Sequence, residues 1–587
     1  MDSSDPTRRD FLKTVGSAAI AAPLAAGAGG GAPAQEPRRR PNVILVMTDD
    51  QGYGDLRCLG NEVINTPHCD RLYEQSVRLV DFHVAPTCAP TRAGLMTGRY
   101  CNRTGVWHTI MGRSILRGDE VTMADVFGAS GYQTGIFGKW HLGDNYPSRP
   151  EDRGFTESLV HGGGGVGQTP DFWGNDYTDD TYWHNGTPTP CEGYCSDVFF
   201  SAAMDFAQES GDEPFFAYVP LNAAHTPYNI ADEWVQPYRD AGLEARLARF
   251  YGIITNIDWN MGRLMDKLDE LGIADDTILI FMTDNGTGDR GFNAGMRGRK
   301  GSEYEGGHRV PFFMRWANGD LVEAGTDVGH VTANIDLLPT FIELCGLDAP
   351  EVPLDGESIA SLLRGDDSDW QDRFVITDSQ RLEHPVKWRK SSVMTDRWRL
   401  VNGEELYDIR ADPGQESDVA ADHPDAVASH REAYEAWWAS VSERFGEYCP
   451  AVVGTEHEPV SRLTCHDWHE GDPPWNQTMI KQGPAANGFW VVDIAEAGDY
   501  EIALRRWPEE ADAPITSAID GGDAIQATSA RLTIGDVDVS QPIDHGAKAV
   551  TFSVSLPAGE AKLKTWFTND AGEDRGAYYA YLTRVEG

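Results

Sequence analysis

Basic residues are scarce in this chain. Of 587 residues, 49 are Lys or Arg and 92 are Asp or Glu, a formal net charge of -43. That balance excludes nucleic acid as a partner, because phosphate binding needs Lys and Arg to displace counterions. An acidic surface suits salty surroundings, where ions screen its self-repulsion. Long apolar runs are also missing. Beyond the N-terminal segment nothing approaches 18 consecutive apolar residues, which excludes stable membrane insertion. Cysteine is sparse, and the odd total of nine excludes complete pairing. With 40% hydrophobic residues and 17 Trp, disorder is excluded away from the ends.

The length implies two to four domains of roughly 100–200 residues. The first of these segments is an address. "TRRDFLK" precedes the small-residue run "TVGSAAIAAPLAAGAGGG", and "APA" at residues 32–34 offers a cleavage site. The pattern resembles a twin-arginine export signal over residues 1–34, implying the twin-arginine machinery as a partner and a periplasmic or secreted location. Export places Cys58, Cys69, Cys88, Cys101, Cys191, Cys195, Cys345, Cys449 and Cys465 in an oxidising space, with Cys191/Cys195 and Cys449/Cys465 as the plausible local disulfides.

From residue 41 apolar runs alternate with amphipathic segments. "NVILVMT" (42–48), "PFFAYVPL" (214–221) and "TILIFMT" (277–283) have the character of buried parallel strands. Between the last two, Phe250, Ile253, Ile254, Ile257, Met261, Leu264, Met265, Leu268 and Leu271 fall at helical spacing, and Gly272 offers a C-cap. Strand, helix, strand in this order predicts an α/β fold: a mostly parallel central sheet flanked by helices. Ligands gather beyond the carboxyl ends of such strands. Two of the strands end there in acids, Asp49-Asp50 and Asp284-Asn285.

After about residue 375 the texture changes to short strands, a turn, and a polar helix from about 425 to 447. Beyond Cys449 alternating stretches such as "ARLTIGDVDVS" and "AVTFSVSLPAGEAKLKTWF" predict antiparallel strands of a β-sandwich. The expected organisation is an α/β catalytic domain over 35–375, a smaller antiparallel α+β subdomain over 376–448, and an appended β-sandwich module over 449–587.

The stretch "CAPTRAGLMTG" carries the most specific signal. Cys88, Pro90, Arg92, Leu95 and Gly98 stand in the spacing of the signature of the type I sulfatases of the alkaline phosphatase superfamily, with Thr91 where Ser or Ala is usual. "PNVILVMTDDQGYGD", "GYQTGIFGKWHLGD", "LNAAHTP", "FMTDNG", "GRKGSEYEGGHRVP" and "LYDIRADPGQESDVA" resemble further landmarks of that arylsulfatase-like family, in the family's order. The resemblance covers residues 41 to about 420.

It implies that Cys88 is converted to formylglycine (3-oxoalanine) by a formylglycine-generating enzyme. A sulfate ester needs a nucleophile at sulfur, neutralised oxygens and an acid for the departing alcohol. A plain thiolate would leave a sulfonate with no easy exit, whereas one hydroxyl of an aldehyde hydrate attacks and the other expels sulfate. The implied intermediate is a covalent sulfate on residue 88. Asp49, Asp50, Asp284 and Asn285 are an all-oxygen set for a hard cation. The resemblance makes it Ca²⁺, with Mg²⁺ second, and residue 88 joins the shell. Arg92 matches the anchor of the hydrate, and Lys139 and His141 match its contacts. His225 and Lys300 match the grip on sulfate and the leaving oxygen. By the same resemblance His141 removes the hydrate proton and His225 protonates the alcohol. These cations form the local basic pocket that an anionic substrate requires in so acidic a chain.

The expected substrate is a sulfate ester on a sulfated glycan. Phosphate or phosphonate ester hydrolysis on the same framework is the alternative, with an inert glycan-binding protein behind it. The loop "HGGGGVGQTPDFWGNDYTDDTYWHNG" (161–186) is the expected wall of the specificity pocket. The later "LTCHDWHEGDPPWNQ" carries Cys465, His466, Asp467, Trp468, His469 and Trp475 too closely spaced for converging metal ligands. It is expected to be an aromatic-anchored loop that could reach the substrate rim.

Overall fold

In the computed structural model the continuous apolar runs become the middle of a ten-stranded sheet. The strands Thr277–Thr283, Asn42–Thr48, Phe215–Pro220, Gln133–Lys139 and Glu157–His161 lie side by side in that order, all parallel. The structure describes residues 40–585, so the export signal read over 1–34 lies outside the described residues. No helix among the described residues is long and apolar enough to cross a membrane.

These strands read as unbroken hydrophobic runs because both faces are covered. Val43, Leu45 and Met47 enter one core with Ala89, Leu95 and Met96 of the helix Cys88–Thr97. Ile44 and Val46 enter the other with Ile253, Ile257 and Met261 of the helix Ala245–Leu271. Side chains alternate by two along a strand, so adjacent residues serve opposite cores. Each fully buried Ile, Leu or Val contributes about 1.5–3 kcal/mol. The long helix stops where the sequence predicts: Gly272 takes a left-handed conformation (φ 69°), and its N–H caps Asp269 O.

The strands Val375–Asp378, Ser391–Met394, Trp398–Val401 and Glu405–Asp408 form a separate antiparallel sheet. It is covered by Tyr434, Trp437 and Val441 of the helix Pro424–Val441, which ends before the predicted 447.

From Ala451 onward two sheets share one core, Trp490, Ile494 and Leu563 from one meeting Tyr500, Ile502 and Leu582 from the other. That is sandwich packing. One pairing departs from the antiparallel expectation, since Ala451–Val453 runs parallel to Phe489–Ile494.

The disulfide expectation is corrected. All nine cysteines are free. Cys191 Sγ lies against Thr189 O while Cys195 is buried at the start of its helix. Cys465 Sγ donates to Pro474 O at 3.1 Å, in the sandwich core, and Cys449 packs beside Gly105.

Candidate active site

Strand ends bring the predicted residues together. Asp49 and Asp50 follow the first strand, Lys139 closes Gln133–Lys139 with His141 two residues on, His225 follows Phe215–Pro220, and Asp284 and Asn285 follow Thr277–Thr283. Their loops are laced by backbone bonds, Asp284 N to Thr48 O at 3.0 Å and Asp49 N to Ala223 O at 2.9 Å. Cys88 opens a helix whose ten residues are all buried. Thr91 fits that helix, its hydroxyl donating to Ala85 O at 2.7 Å. Lys300 is carried in by its neighbour, since Gly301 N donates to Pro86 O at 2.7 Å, and Lys300 Nζ stands 3.8 Å from Cys88 Sγ.

The basic pocket needs a correction. Each cation is already spoken for by an acid: Lys139 Nζ with Asp49 Oδ2 at 2.5 Å, Lys300 Nζ with Asp50 Oδ1 at 2.5 Å, and Arg92 Nη2 with Asp284 Oδ2 at 2.9 Å. Three acids and three cations cancel, so these side chains alone present no excess positive charge to an anion. Burial works to raise Asp49, but Lys139, His225 and Lys300 outweigh it and hold the carboxyl far below its usual range. Burial and the Asp49 charge push Asp284 up to about 7 against Arg92.

A hard cation fits what is left over. Asp49 Oδ1 and Asn285 Oδ1 are buried without a hydrogen-bond partner, a costly condition for an oxygen unless something electropositive faces it. Asn285 commits its amide nitrogen to Asp50 Oδ1 at 2.9 Å and Gly286 O at 3.0 Å, which leaves the oxygen as the unused end. Asp49, Cys88 and Asp284 each bring a ligand atom within 4.8 Å of the others. A divalent ion there would give the balanced cluster the positive excess that a sulfate ester needs.

The two histidines are set differently. His141 Nε2 meets Thr109 O at 2.9 Å, so in the neutral ring it carries the proton and the buried, unpartnered Nδ1 carries the lone pair. Burial and then Lys139 push this imidazole well below its ordinary pKa. His225 Nδ1 meets Thr226 O at 2.7 Å, leaving Nε2 toward Asp50 Oδ2 at 3.8 Å. Asp50 and His141 both hold left-handed backbones, φ 59° and 60°. For non-glycine residues this costs on the order of 1–2 kcal/mol each.

The glycine run of the wall loop has a steric cause. A Cβ on Gly164 would stand 2.4 Å from the His141 ring, and the Gly165 position looks onto His225. Asp180 of the same loop is not a solvated surface residue. It is buried and accepts from Asp176 N, Tyr177 N and Tyr182 Oη.

The loop after Thr464 reaches the site. Cys465 and Trp468 go to the sandwich core, and His469 Nδ1 bonds Glu383 Oε1 at 3.0 Å. His466 comes to lie beside His141, ring centroids 6.2 Å apart. Its Nδ1 is held by Asp467 Oδ1 at 2.9 Å and its Nε2 is buried and unpartnered. The His and Trp cluster marks this loop in the sequence, but its placement against His141 carries no sequence signal.

A second cluster, His83, Glu305 and His308, also brings ligand atoms together. It is saturated from within. His83 links Asp81 and His308 at 2.9 Å each, and Glu305 binds Arg399 at 2.7 Å.

Known proteins resemble this chain over most of the described catalytic region. The human arylsulfatase A sequence is 31% identical over 56% of this chain and 68% of its own length. An N-acetylgalactosamine-6-O-sulfatase from Bacteroides thetaiotaomicron is 28% identical over 68% of this chain and 93% of its own. Among solved structures, that of Ps i-CgsB in complex with k-i-k-neocarrahexaose superposes with a TM-score of 0.62 at 28% identity, covering 70% of this chain and 95% of the other. A family model described as N-sulphoglucosamine sulphohydrolase, C-terminal, matches residues 299–432. The sulfatase family model matches residues 41–347, more than half of the chain and the whole stretch that carries the strand-end residues. The protein therefore belongs to the sulfatase family and is a sulfuric ester hydrolase.

Proposed function

We propose that this sulfatase is an exported, calcium-dependent enzyme that removes sulfate from sulfated carbohydrates, with residue 88 acting as formylglycine. The observation that carries the reading is the pair of unpartnered oxygens, Asp49 Oδ1 and Asn285 Oδ1, in the acidic set that includes Asp284 and Cys88. Asp49, Asp50, Asp284, Asn285 and residue 88 would hold Ca²⁺. When bound, the ion supplies charge to orient and neutralise the sulfate oxygens. The hydrated aldehyde supplies paired hydroxyls, one to attack sulfur and one to release sulfate.

The remaining steps belong to this chain's side chains. Arg92, bonded to Lys139 O at 2.6 Å and to Asp284, fixes the floor of the site. Lys139 helps to hold Asp49 ionised, and Lys300 Nζ, paired with Asp50, stands 3.8 Å from Cys88 Sγ, within reach of a sulfate oxygen. His141 Nδ1, with its lone pair free, takes the proton from the second hydroxyl. His225 faces the open cleft and delivers a proton from Nε2 to the departing alcohol. Export rests on the twin-arginine pattern in the sequence. The carbohydrate class is supported by the likeness to an N-acetylgalactosamine-6-O-sulfatase and to a structure solved with k-i-k-neocarrahexaose.

Peptide mass spectrometry across residue 88, on protein from an export-competent host, tests the nucleophile. An aldehyde in place of the thiol in active enzyme is expected, and active protein with an intact Cys88 thiol overturns the mechanism. Rates on matched sulfate, phosphate and phosphonate esters test the ester class, with sulfate expected to lead.

A further inference from the structure

The pocket beside His225 does not end at the catalytic residues. It continues as an open cleft of about 960 Å³, and its far wall belongs to the C-terminal sandwich. That is the upper end of the range for ligand sites, several times what one hexose ring needs.

The far wall is fixed in place. Thr169 N donates to Trp475 O at 3.0 Å and Thr169 Oγ1 to Pro474 O at 2.7 Å. Gln477 N donates to Gly167 O at 3.0 Å, and Gly174 N to Gln477 Oε1 at 3.0 Å. The backbone of residues 474–477 is thus stitched to the glycine-rich wall loop. On that rigid support Trp475 is left 37% exposed, one of two exposed Trp among the described residues. A large aromatic face held open beside a polar cleft is a platform for the C–H face of a sugar, because stacking removes apolar area from water without desolvating hydroxyls.

Two cations complete the patch. Arg249 reaches Asp232 only at 4.0 Å, and Lys481, whose Nζ lies 5.6 Å from the Trp173 ring centroid, reaches Asp520 only at 4.0 Å. Both sit at the limit of ion pairing, in contrast to Arg246, which is locked to Asp289 at 2.6 Å in the same cleft. Asp176 and Glu244 also face the cleft, and Glu244 is engaged in capping the helix Ala245–Leu271. In a chain of net charge -43 two loosely held cations beside an open aromatic face suit an anionic sugar.

On the reading that the substrate is a sulfated carbohydrate, we propose that the C-terminal module supplies a second sugar subsite. Trp475 stacks on the unit adjoining the one that loses sulfate, and Arg249 and Lys481 bind a sulfate or carboxylate on that unit. The enzyme then acts on oligosaccharides in preference to single sugars.

The test compares kcat/KM on tetrasaccharides with kcat/KM on p-nitrophenyl sulfate. One set of tetrasaccharides is cut from sulfated galactans, whose neighbouring units bear sulfate. The other is cut from sulfated galactosaminoglycans, whose neighbouring units bear carboxylate. Trp475→Ala is expected to lower the ratio of tetrasaccharide to aryl rates at least tenfold, mainly through KM, and Trp475→Tyr to restore most of it. Arg249→Ala with Lys481→Ala is expected to lower the ratio for the set whose anion they bind. A ratio changed less than threefold in both Trp475→Ala and the double variant overturns the subsite while the carbohydrate reading stands. Wild-type enzyme that cleaves the aryl ester but no tetrasaccharide overturns the carbohydrate reading, and the subsite with it.

Discussion

Lys139 Nζ lies 2.5 Å from Asp49 Oδ2, and both side chains are wholly buried. A buried ion pair stripped of one partner typically costs about 3–5 kcal/mol, because the remaining charge has no water. Lys139→Met is therefore expected to destabilise the calcium-free protein by that order. It should also tighten calcium binding, since the ion no longer shares Asp49 with an ammonium group. Denaturant melts with and without calcium, together with calcium titration, check this. Equal destabilisation in both states would show that the ion does not meet Asp49.

Removing the nucleophile should spare the fold. Cys88→Ala is expected to lower kcat by a factor of about 10³ or more, with stability changed by under about 1 kcal/mol. Residual activity within tenfold of the parent sinks the assignment.

The proposed metal dependence rests on the unpartnered oxygens Asp49 Oδ1 and Asn285 Oδ1. Thorough chelation should abolish most activity, calcium should restore it, and magnesium should restore less, because Mg²⁺ demands stricter octahedral geometry. Activity indifferent to chelation would argue against the cation site.

The pH profile has a defined sign. His225 must be protonated to serve as acid, and burial lowers its pKa from 6.5. Activity should therefore rise as pH falls through that range. His141 must be neutral to serve as base, and its pKa lies well below 6.5, so the opposing limb falls at still lower pH. The expected kcat/KM profile is a bell centred below pH 6.5. His225→Ala should remove its alkaline limb.

Asp171 gives an independent stability test in the wall loop. It accepts from Gly167 N at 2.9 Å, and burial raises its pKa to about 8. The folded state thus holds a proton that the unfolded state, near 3.8, has lost, so stability falls as pH rises from about 4 to 8. Asp171→Asn should recover more stability at pH 8.5 than at pH 5, by at least one pKa unit's worth, about 1.4 kcal/mol. Melting temperatures at the two pH values measure it.

The parallel sheet was legible because its central strands are buried on both faces and read as unbroken apolar runs. The acids at their ends were legible because a sheet of this kind places strand ends together. What could not be read was pairing. Nothing in the order of residues says that Lys139, Lys300 and Arg92 each face their own acid, which turns an expected basic pocket into a balanced one. Nor does spacing reveal a thiol's direction, so Cys191 and Cys195 looked bridgeable while their sulfurs meet different neighbours. His466 and His141 are far apart in the chain, and only the seam between sandwich and sheet brings their rings together.

The burial of Cys88 also has a meaning in time. At 2% exposure, in a helix with no exposed residue, the thiol is out of reach of any modifying enzyme once the fold has closed. The loop that sets His466 beside His141 follows the strand Val460–Thr464, which is paired with Tyr579–Arg584, the last strand described. A ribosome adding about 5–20 residues per second needs on the order of half a minute to a minute and a half to travel from Cys88 to that last strand. On the formylglycine reading proposed above, modification of the Cys88 thiol falls within that interval, while the final strand is still being made.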